Sequence, residues 1–267
     1  MSSRPHRARK SLGQNFLVDR NLQRKIVQAL NAAPDDQVLE IGPGLGALTE
    51  HLVGMVGHLT LVELDNDLAS DWQSRLAGRS DVDVVHADIL DVDLTDVTDE
   101  PDRLLVVGNI PYNITTPIVF HLLQRPRPKR IVLMVQKEVA LRMAASAGRD
   151  FGALAVGVQA VADVRLLFGV PRGAFRPVPG VDSAVVEIVP HAPARLSVEE
   201  EVALRHLSRM LFQWRRKQLG KILRDHPETP FSHVQVDALA ERLQLDLTRR
   251  PETMPIDLLL ELAREFA

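Results

Sequence analysis

The sequence predicts an α/β fold, a largely parallel sheet wrapped by helices, followed by a small helical domain. Two observations carry this reading. Apolar runs of strand length alternate with stretches of helical spacing as far as about residue 190, and beyond Ser197 only helical spacing remains. The first runs are Gln37–Ile41, His58–Leu64, Val82–His86, Leu104–Gly108 and Arg130–Val135, each leading into helical spacing or helix-start signals. Alternation of this kind calls for parallel strands, because a helical crossover returns each strand to the same edge. Asp163–Val170 and Ala184–Val189 read as two further strands, separated by the loop Pro171–Gly180. Ser197 and Glu200 form a capping box, and Val202, Leu204, Leu207, Leu211 and Trp214 then recur at helical intervals. A boundary near His191–Leu196 gives an α/β domain over residues 1–192 and a helical domain over residues 193–267.

Composition narrows the chemistry. The chain has no cysteine, which removes disulfide frameworks, thiolate metal sites and cysteine nucleophiles. Met1–Asn15 is basic and lacks the apolar run of a secretory signal, and no later stretch has the length that spans a bilayer. A soluble, cytoplasmic, monomeric protein is expected. The net charge of -3 is unevenly spread. Arg4, Arg7, Arg9, Lys10, Arg20, Arg24 and Lys25 face only Asp19 in the first 25 residues, and Leu204–Arg224 holds Arg205, Arg209, Arg215, Arg216, Lys217, Lys221 and Arg224 without an acid. A charge run alone is usually a solvated face, but local field steers a polyanion more than net charge does.

Val38–Thr49 runs from a hydrophobic strand through Gly42-Pro43-Gly44-Leu45-Gly46 into a helix start. Glycines here let backbone amides approach a ligand closely. The spacing lacks the third glycine of a dinucleotide cradle and has Pro43 in the turn, so a pyrophosphate is disfavoured. Glu40 with Gly42 and Gly44 resembles the S-adenosylmethionine motif of Rossmann-like methyltransferases. Glu63, closing the second strand, suits paired ribose hydroxyls, and Asp88, after the third, suits an adenine amine. Asp65, Asp67, Asp91 and Asp93 read as solvated strand-end residues.

Gly108-Asn109-Ile110-Pro111-Tyr112-Asn113-Ile114-Thr115 follows the fourth strand, at the edge where open α/β sheets bind ligands. An aryl amine is a poor nucleophile because its lone pair is delocalised. If the Asn109 side-chain oxygen and the Ile110 carbonyl accept its two hydrogens, the nitrogen can pyramidalise toward a methyl donor. Pro111 fixes the carbonyl and Tyr112, the sole tyrosine, stacks on the base. The reaction needs alignment and no metal.

With these blocks in place, the chain resembles the KsgA-type small-subunit ribosomal RNA adenine N6,N6-dimethyltransferase family from about Lys10 to Arg224. The matching pieces are Lys10-Ser11-Leu12-Gly13-Gln14-Asn15-Phe16-Leu17, the glycine turn, Asn109–Thr115, Gln136-Lys137-Glu138-Val139, Phe175–Ser183 and Arg215-Arg216-Lys217. The resemblance implies a Rossmann-like methyltransferase acting on small-subunit ribosomal RNA or a subunit precursor. It implies donor contacts at Asn15, Leu17, Gly42, Glu63, Asp88 and Asn109. Phe175, a core residue by its own context, would sandwich the flipped adenine against Tyr112. Arg215, Arg216, Lys217 and Lys221 are expected on RNA phosphates. The family commonly has glutamine where this chain has Trp214, which would stack on a base or, as such residues more often do, pack on the helical domain. The competing readings are a large-subunit adenine methyltransferase of the macrolide-resistance type, a non-catalytic assembly or transcription factor, and a DNA amino-methyltransferase. The intact acids and Asn109 argue against the second, and the short tail against the third.

Overall fold

The computed structural model describes residues 8–9, 12–214 and 216–267. Nine strands are present among them: β1 (Phe16–Leu17), β2 (Gln37–Ile41), β3 (His58–Glu63), β4 (Val82–His86), β5 (Leu105–Asn109), β6 (Arg130–Gln136), β7 (Ala162–Val170), β8 (Phe175–Arg176) and β9 (Ser183–Pro190). Seven form one sheet in the order β4-β3-β2-β5-β6-β9-β7, and β1 pairs with β8 in a separate two-stranded ribbon. The pairs from β4 through β6 are all parallel, whereas β9 runs antiparallel to β6, with Leu133 opposite Val186. This is a Rossmann-like sheet. All seven expected strands are present, their ends shifted by at most one residue; only the two-residue pair β1 and β8, too short to show a period, was not anticipated.

The central strands read as unbroken apolar runs because both faces of a helix-covered parallel sheet are buried. Val106, Val107 and the stretch Ile131–Val135 have no exposed surface. Helix Arg20–Leu30 covers part of this core through Ile26, Val27 and Leu30; Asp19 caps it by accepting from Asn21 and Leu22 N–H, and Asn31 ends it in the left-handed region.

The chain divides into two compact units, Met1–Ala140 with Arg165–Pro190, and Leu141–Val164 with His191–Ala267. The division is therefore not a single cut, since Leu141–Val164 joins the C-terminal helices. Within that second unit, helices Ala153–Gln159 and Ile256–Arg264 both pack on helix Val198–Gln213, and Phe151 meets Phe212 edge-on at 6.3 Å. The Ser197–Glu200 capping box is formed, and a second one, Ser232–Gln235, opens helix His233–Leu243. No helix among the described residues is long and apolar enough to cross a membrane.

Candidate active site

From β2 the chain moves outward through β3 to β4, then returns to the other side of β2 to build β5 and β6. The carboxyl ends of β2 and β5 thus diverge at a switch point, where an open α/β sheet leaves a crevice. A cavity of about 450 Å³ occupies it. Gly42, Glu63, Asp88 and Asn109 line it from four strand ends, and Asn15 and Leu17 close it from the N-terminal segment. All six expected donor-binding residues are therefore brought to one cavity. Its volume lies within the range of small-molecule sites.

The glycine turn is held from outside and open inside. Gly42 has φ +64°, and a Cβ added there meets nothing within 4 Å, so a side chain would fill cavity space. Gly46, φ +94°, is the opposite case, because its Cβ would lie 2.8 Å from the Trp72 ring. Trp72 also donates its indole N–H to the Gly44 carbonyl at 2.9 Å. Glu63 completes the clamp: one oxygen accepts from Gly44 N–H at 3.0 Å and the other from Asp65 N–H at 2.9 Å. Burial pushes its carboxyl up, and the backbone hydrogen bonds partly oppose this. The carboxylate retains acceptor capacity for a ribose hydroxyl beyond these backbone bonds. Asp88 spends one oxygen on Leu90 N–H at 3.0 Å, and its other oxygen has no hydrogen bond among the described residues.

Glu40 lies beneath the turn, 1 % exposed, with Oε2 lacking any hydrogen-bond partner. Burial pushes its carboxyl up to about 8; nearby Thr49 partly offsets this, although the Thr49 hydroxyl closes no hydrogen bond, and Glu63 adds to the rise. An orphaned buried carboxyl lining the cavity, beside a turn whose Cβ position is open, fits a cationic ligand such as S-adenosylmethionine. One consequence concerns stability. Folded Glu40 holds its proton where the unfolded chain has lost it, so its contribution is full below about pH 4.5 and is lost as pH rises toward about 8. Glu40→Gln is expected to flatten the fall in melting temperature between pH 5 and 8, a difference of at most on the order of 5 kcal/mol. Parallel melts across that range check it, and identical slopes would sink the assignment.

The N-terminal segment is tied across the site by a residue that sequence reasoning placed in solvent. Asp65 has no exposed surface. It caps helix Asn66–Arg75 through Asp67 N–H, pairs with Arg9 Nε at 3.3 Å and accepts from Gln14 Nε2 at 3.0 Å, while Arg9 also bonds Asp67. The anchored strap carries Asn15, whose carbonyl accepts from Asn109 Nδ2 at 2.9 Å. That bond fixes the amide orientation of Asn109, so its oxygen is the atom left over for a ligand.

Ile110 is 1 % exposed; its N–H donates to the Met134 carbonyl at 3.1 Å, and its own carbonyl has no hydrogen bond among the described residues. Pro111 and Tyr112 follow on the cavity wall. The Tyr112 hydroxyl bonds Ser183 Oγ at 2.6 Å, and burial pushes the phenol up, which keeps it a neutral hydrogen-bonding group. Asn109, Ile110, Pro111 and Tyr112 are thus assembled together. Phe175 is not with them. It pairs with Leu17 across the β1–β8 ribbon, has no exposed surface, belongs to the hydrophobic core with Ile26 and Val170, and is absent from the cavity lining. The structure thus brings Tyr112, half-buried, to the cavity wall and leaves Phe175 in the core that its sequence context suggested.

The family model for ribosomal RNA adenine dimethylase matches residues 5–267. The chain belongs to this family. Among its relatives, "Ribosomal RNA small subunit methyltransferase A" of Pseudomonas fluorescens is 41% identical over 264 residues, covering 98% of this chain and 95% of that protein. The protein of the same name in Geobacter metallireducens is also 41% identical, over 97% of this chain and 95% of its own length. A dimethyladenosine transferase from Plasmodium falciparum superposes with a TM-score of 0.81 at 27% identity, covering 94% and 97% of the two chains. The 23S rRNA methyltransferase ErmE does so with 0.74 at 27%, covering 94% and 99%.

The basic stretch of this dimethylase is less free than its sequence suggests. Lys221 pairs with Asp225 at 2.6 Å, Arg209 with Glu228 at 3.1 Å and Arg224 with Asp237 at 2.5 Å. Arg216 and Lys217 are exposed and carry no ion pair among the described residues. Arg215 lies outside those residues, as do Arg4, Arg7, Lys10 and Ser11.

Proposed function

We propose that the chain transfers methyl groups from S-adenosylmethionine to N6 of adenine in small-subunit (16S) ribosomal RNA, dimethylating two adjacent adenosines. It does so in the cytoplasm, as a monomer, on a precursor of the small ribosomal subunit. The observation that carries this reading is the orientation of Asn109. With Nδ2 committed to Asn15, its oxygen and the carbonyl of adjacent Ile110 are left as acceptors on two residues that line the cavity together with the glycine turn. The donor supplies an electrophilic methyl when bound. Gly42, Glu63 and Asp88 hold its nucleoside end, Asn15 and Leu17 border it, and Glu40 offers a carboxyl to its cationic part. The Asn109 and Ile110 oxygens accept hydrogen bonds from the two amine hydrogens and draw the lone pair out of the ring plane. The Tyr112 ring, braced through Ser183, carries the base on its face. The helical unit supplies phosphate contacts through Arg216 and Lys217.

The names of the Pseudomonas and Geobacter relatives favour the small subunit over the large one. Labelled donor incubated with small or large subunits lacking the modification, followed by mapping of the labelled base, tests this. Label on two neighbouring adenines of the small subunit is the expected result, and label only on the large subunit overturns it. Reversing Arg216 and Lys217 to glutamate is expected to weaken RNA binding and to flatten its logarithmic salt slope by about 0.9 per lost phosphate contact, with donor affinity unchanged. An unaltered slope in binding titrations would reduce these two residues to a solvated face.

A further inference from the structure

The chain has two tryptophans, and their surroundings differ. Trp72 is 2 % exposed, donates its N–H to Gly44, and has the Arg75 guanidinium 3.9 Å over its ring. Each polar and apolar part of it is used by the fold. Trp214, at the end of helix Val198–Gln213, is only partly buried, and its indole N–H has no hydrogen bond among the described residues. One neighbour braces it: the His226 ring, 5.1 Å away and tilted by 54°. His226 is itself fixed, because its Nδ1 accepts from Glu228 N–H at 3.1 Å and its Nε2 therefore donates to Gln213 Oε1 at 3.0 Å. Among the described residues the indole is thus braced by His226, partly exposed, and borders a recess of about 400 Å³. Gln213, Arg216, Lys217 and Lys221 form the remaining walls. Two of the three cations there, Arg216 and Lys217, have no acidic partner among the described residues, whereas Arg209 and Arg224 of the same basic stretch are paired.

We propose that this recess takes an unpaired nucleobase of the RNA, stacked on Trp214, with Arg216 and Lys217 on the flanking phosphates. The proposal rests on the RNA-methylating reading given above and adds to it a second base-binding position, in the helical unit and separate from the methylated adenine. Every base has a π-face, so an aromatic wall with cations at its rim recognises a splayed-out nucleotide whatever its identity. Gln213 at the edge offers an amide to a base edge. A protein partner would be expected to bring acids to these cations but gives no reason for a partly exposed indole at their centre.

The test uses the full chain with a single-stranded oligoribonucleotide and an abasic strand of equal length. The base-bearing strand is expected to quench tryptophan emission and the abasic one to bind without quenching. Trp214→Phe is expected to lose the quench, since the remaining Trp72 is buried. Trp214→Ala is expected to bind unmethylated small subunits roughly tenfold more weakly, with donor affinity by calorimetry unchanged. Equal quenching by both strands, or undiminished subunit affinity in a Trp214→Ala protein that binds donor normally, overturns the proposal. So does a loss by Trp214→Ala confined to intact subunits with oligonucleotide affinity by calorimetric titration unaltered, which would assign the recess to a ribosomal protein. If Trp214→Ala fails to fold, the wild-type emission comparison decides. Methyl transfer by the wild-type protein alongside any of these failures discards the recess alone, whereas no transfer to either subunit discards the parent reading and the recess with it.

Discussion

Replacing Asn109 with alanine is expected to slow single-turnover methyl transfer about a hundredfold while leaving RNA affinity close to that of the unaltered protein. The adenine amine is planar at the start, with its lone pair shared into the ring, and pyramidal with growing positive charge at the transition state. Acceptors on its protons therefore bind the transition state more strongly than the substrate, which is the condition for raising a rate. Asn109 is suited to this because Asn15 holds its amide in one orientation, so no reorganisation is needed at the moment of transfer. The measurement is single-turnover methylation at saturating donor and RNA, with a thermal melt confirming the fold. Near wild-type transfer by a folded variant would refute the mechanism. Tyr112→Phe is the contrast: the stacking face stays, and only the hydrogen bond to Ser183 is lost. A fall of about fivefold is expected, corresponding to roughly 1 kcal/mol of positioning.

Glu63→Ala is expected to weaken donor binding by roughly 3 kcal/mol, somewhat more than a hundredfold in Kd. Two losses combine. The ribose hydroxyls lose a charged acceptor, and the Gly44 and Asp65 amides lose the oxygens that hold the turn in shape. Glu63→Gln, which keeps one acceptor oxygen, should fall between the two proteins. Calorimetric titration with the donor reads both. Unchanged affinity in a folded Glu63→Ala protein removes Glu63 from the donor site.

The strands of the central sheet were legible because burial on both faces leaves no polar interruption, as in Arg130–Gln136. The cavity residues were legible for a related reason. Strand ends and the turns after them are where local sequence must serve a ligand, and Gly42, Glu63, Asp88 and Asn109 all occupy such places. What sequence reasoning missed is held by pairs remote in the chain. Asp65 looks like any acid in a charged turn until Gln14, 51 residues earlier, is placed against it. Ser183 gives no signal by itself, and its bond to Tyr112 spans 71 residues. Phe175 shows how a two-residue strand redirects a side chain, since pairing with Leu17 turns it into the core. The pairing of Arg209, Lys221 and Arg224 within the basic stretch escaped the sequence for a nearer cause. Its acids, Asp225, Glu228 and Asp237, begin one residue beyond the window in which none were found, and the Lys221–Asp225 pair at helical spacing was available from sequence alone.

The bond between Asn109 and the Asn15 carbonyl joins positions 94 residues apart. Competence for catalysis is consequently not a property of the pocket alone. A chain whose leading segment is pulled aside by a fused tag would keep the glycine turn and both acids, yet lose the cavity wall at Asn15 and Leu17 and present an amide free to rotate. Donor affinity and turnover would then fall together, and the fault would be sought among the strand-end residues when it lies in the segment that precedes the sheet.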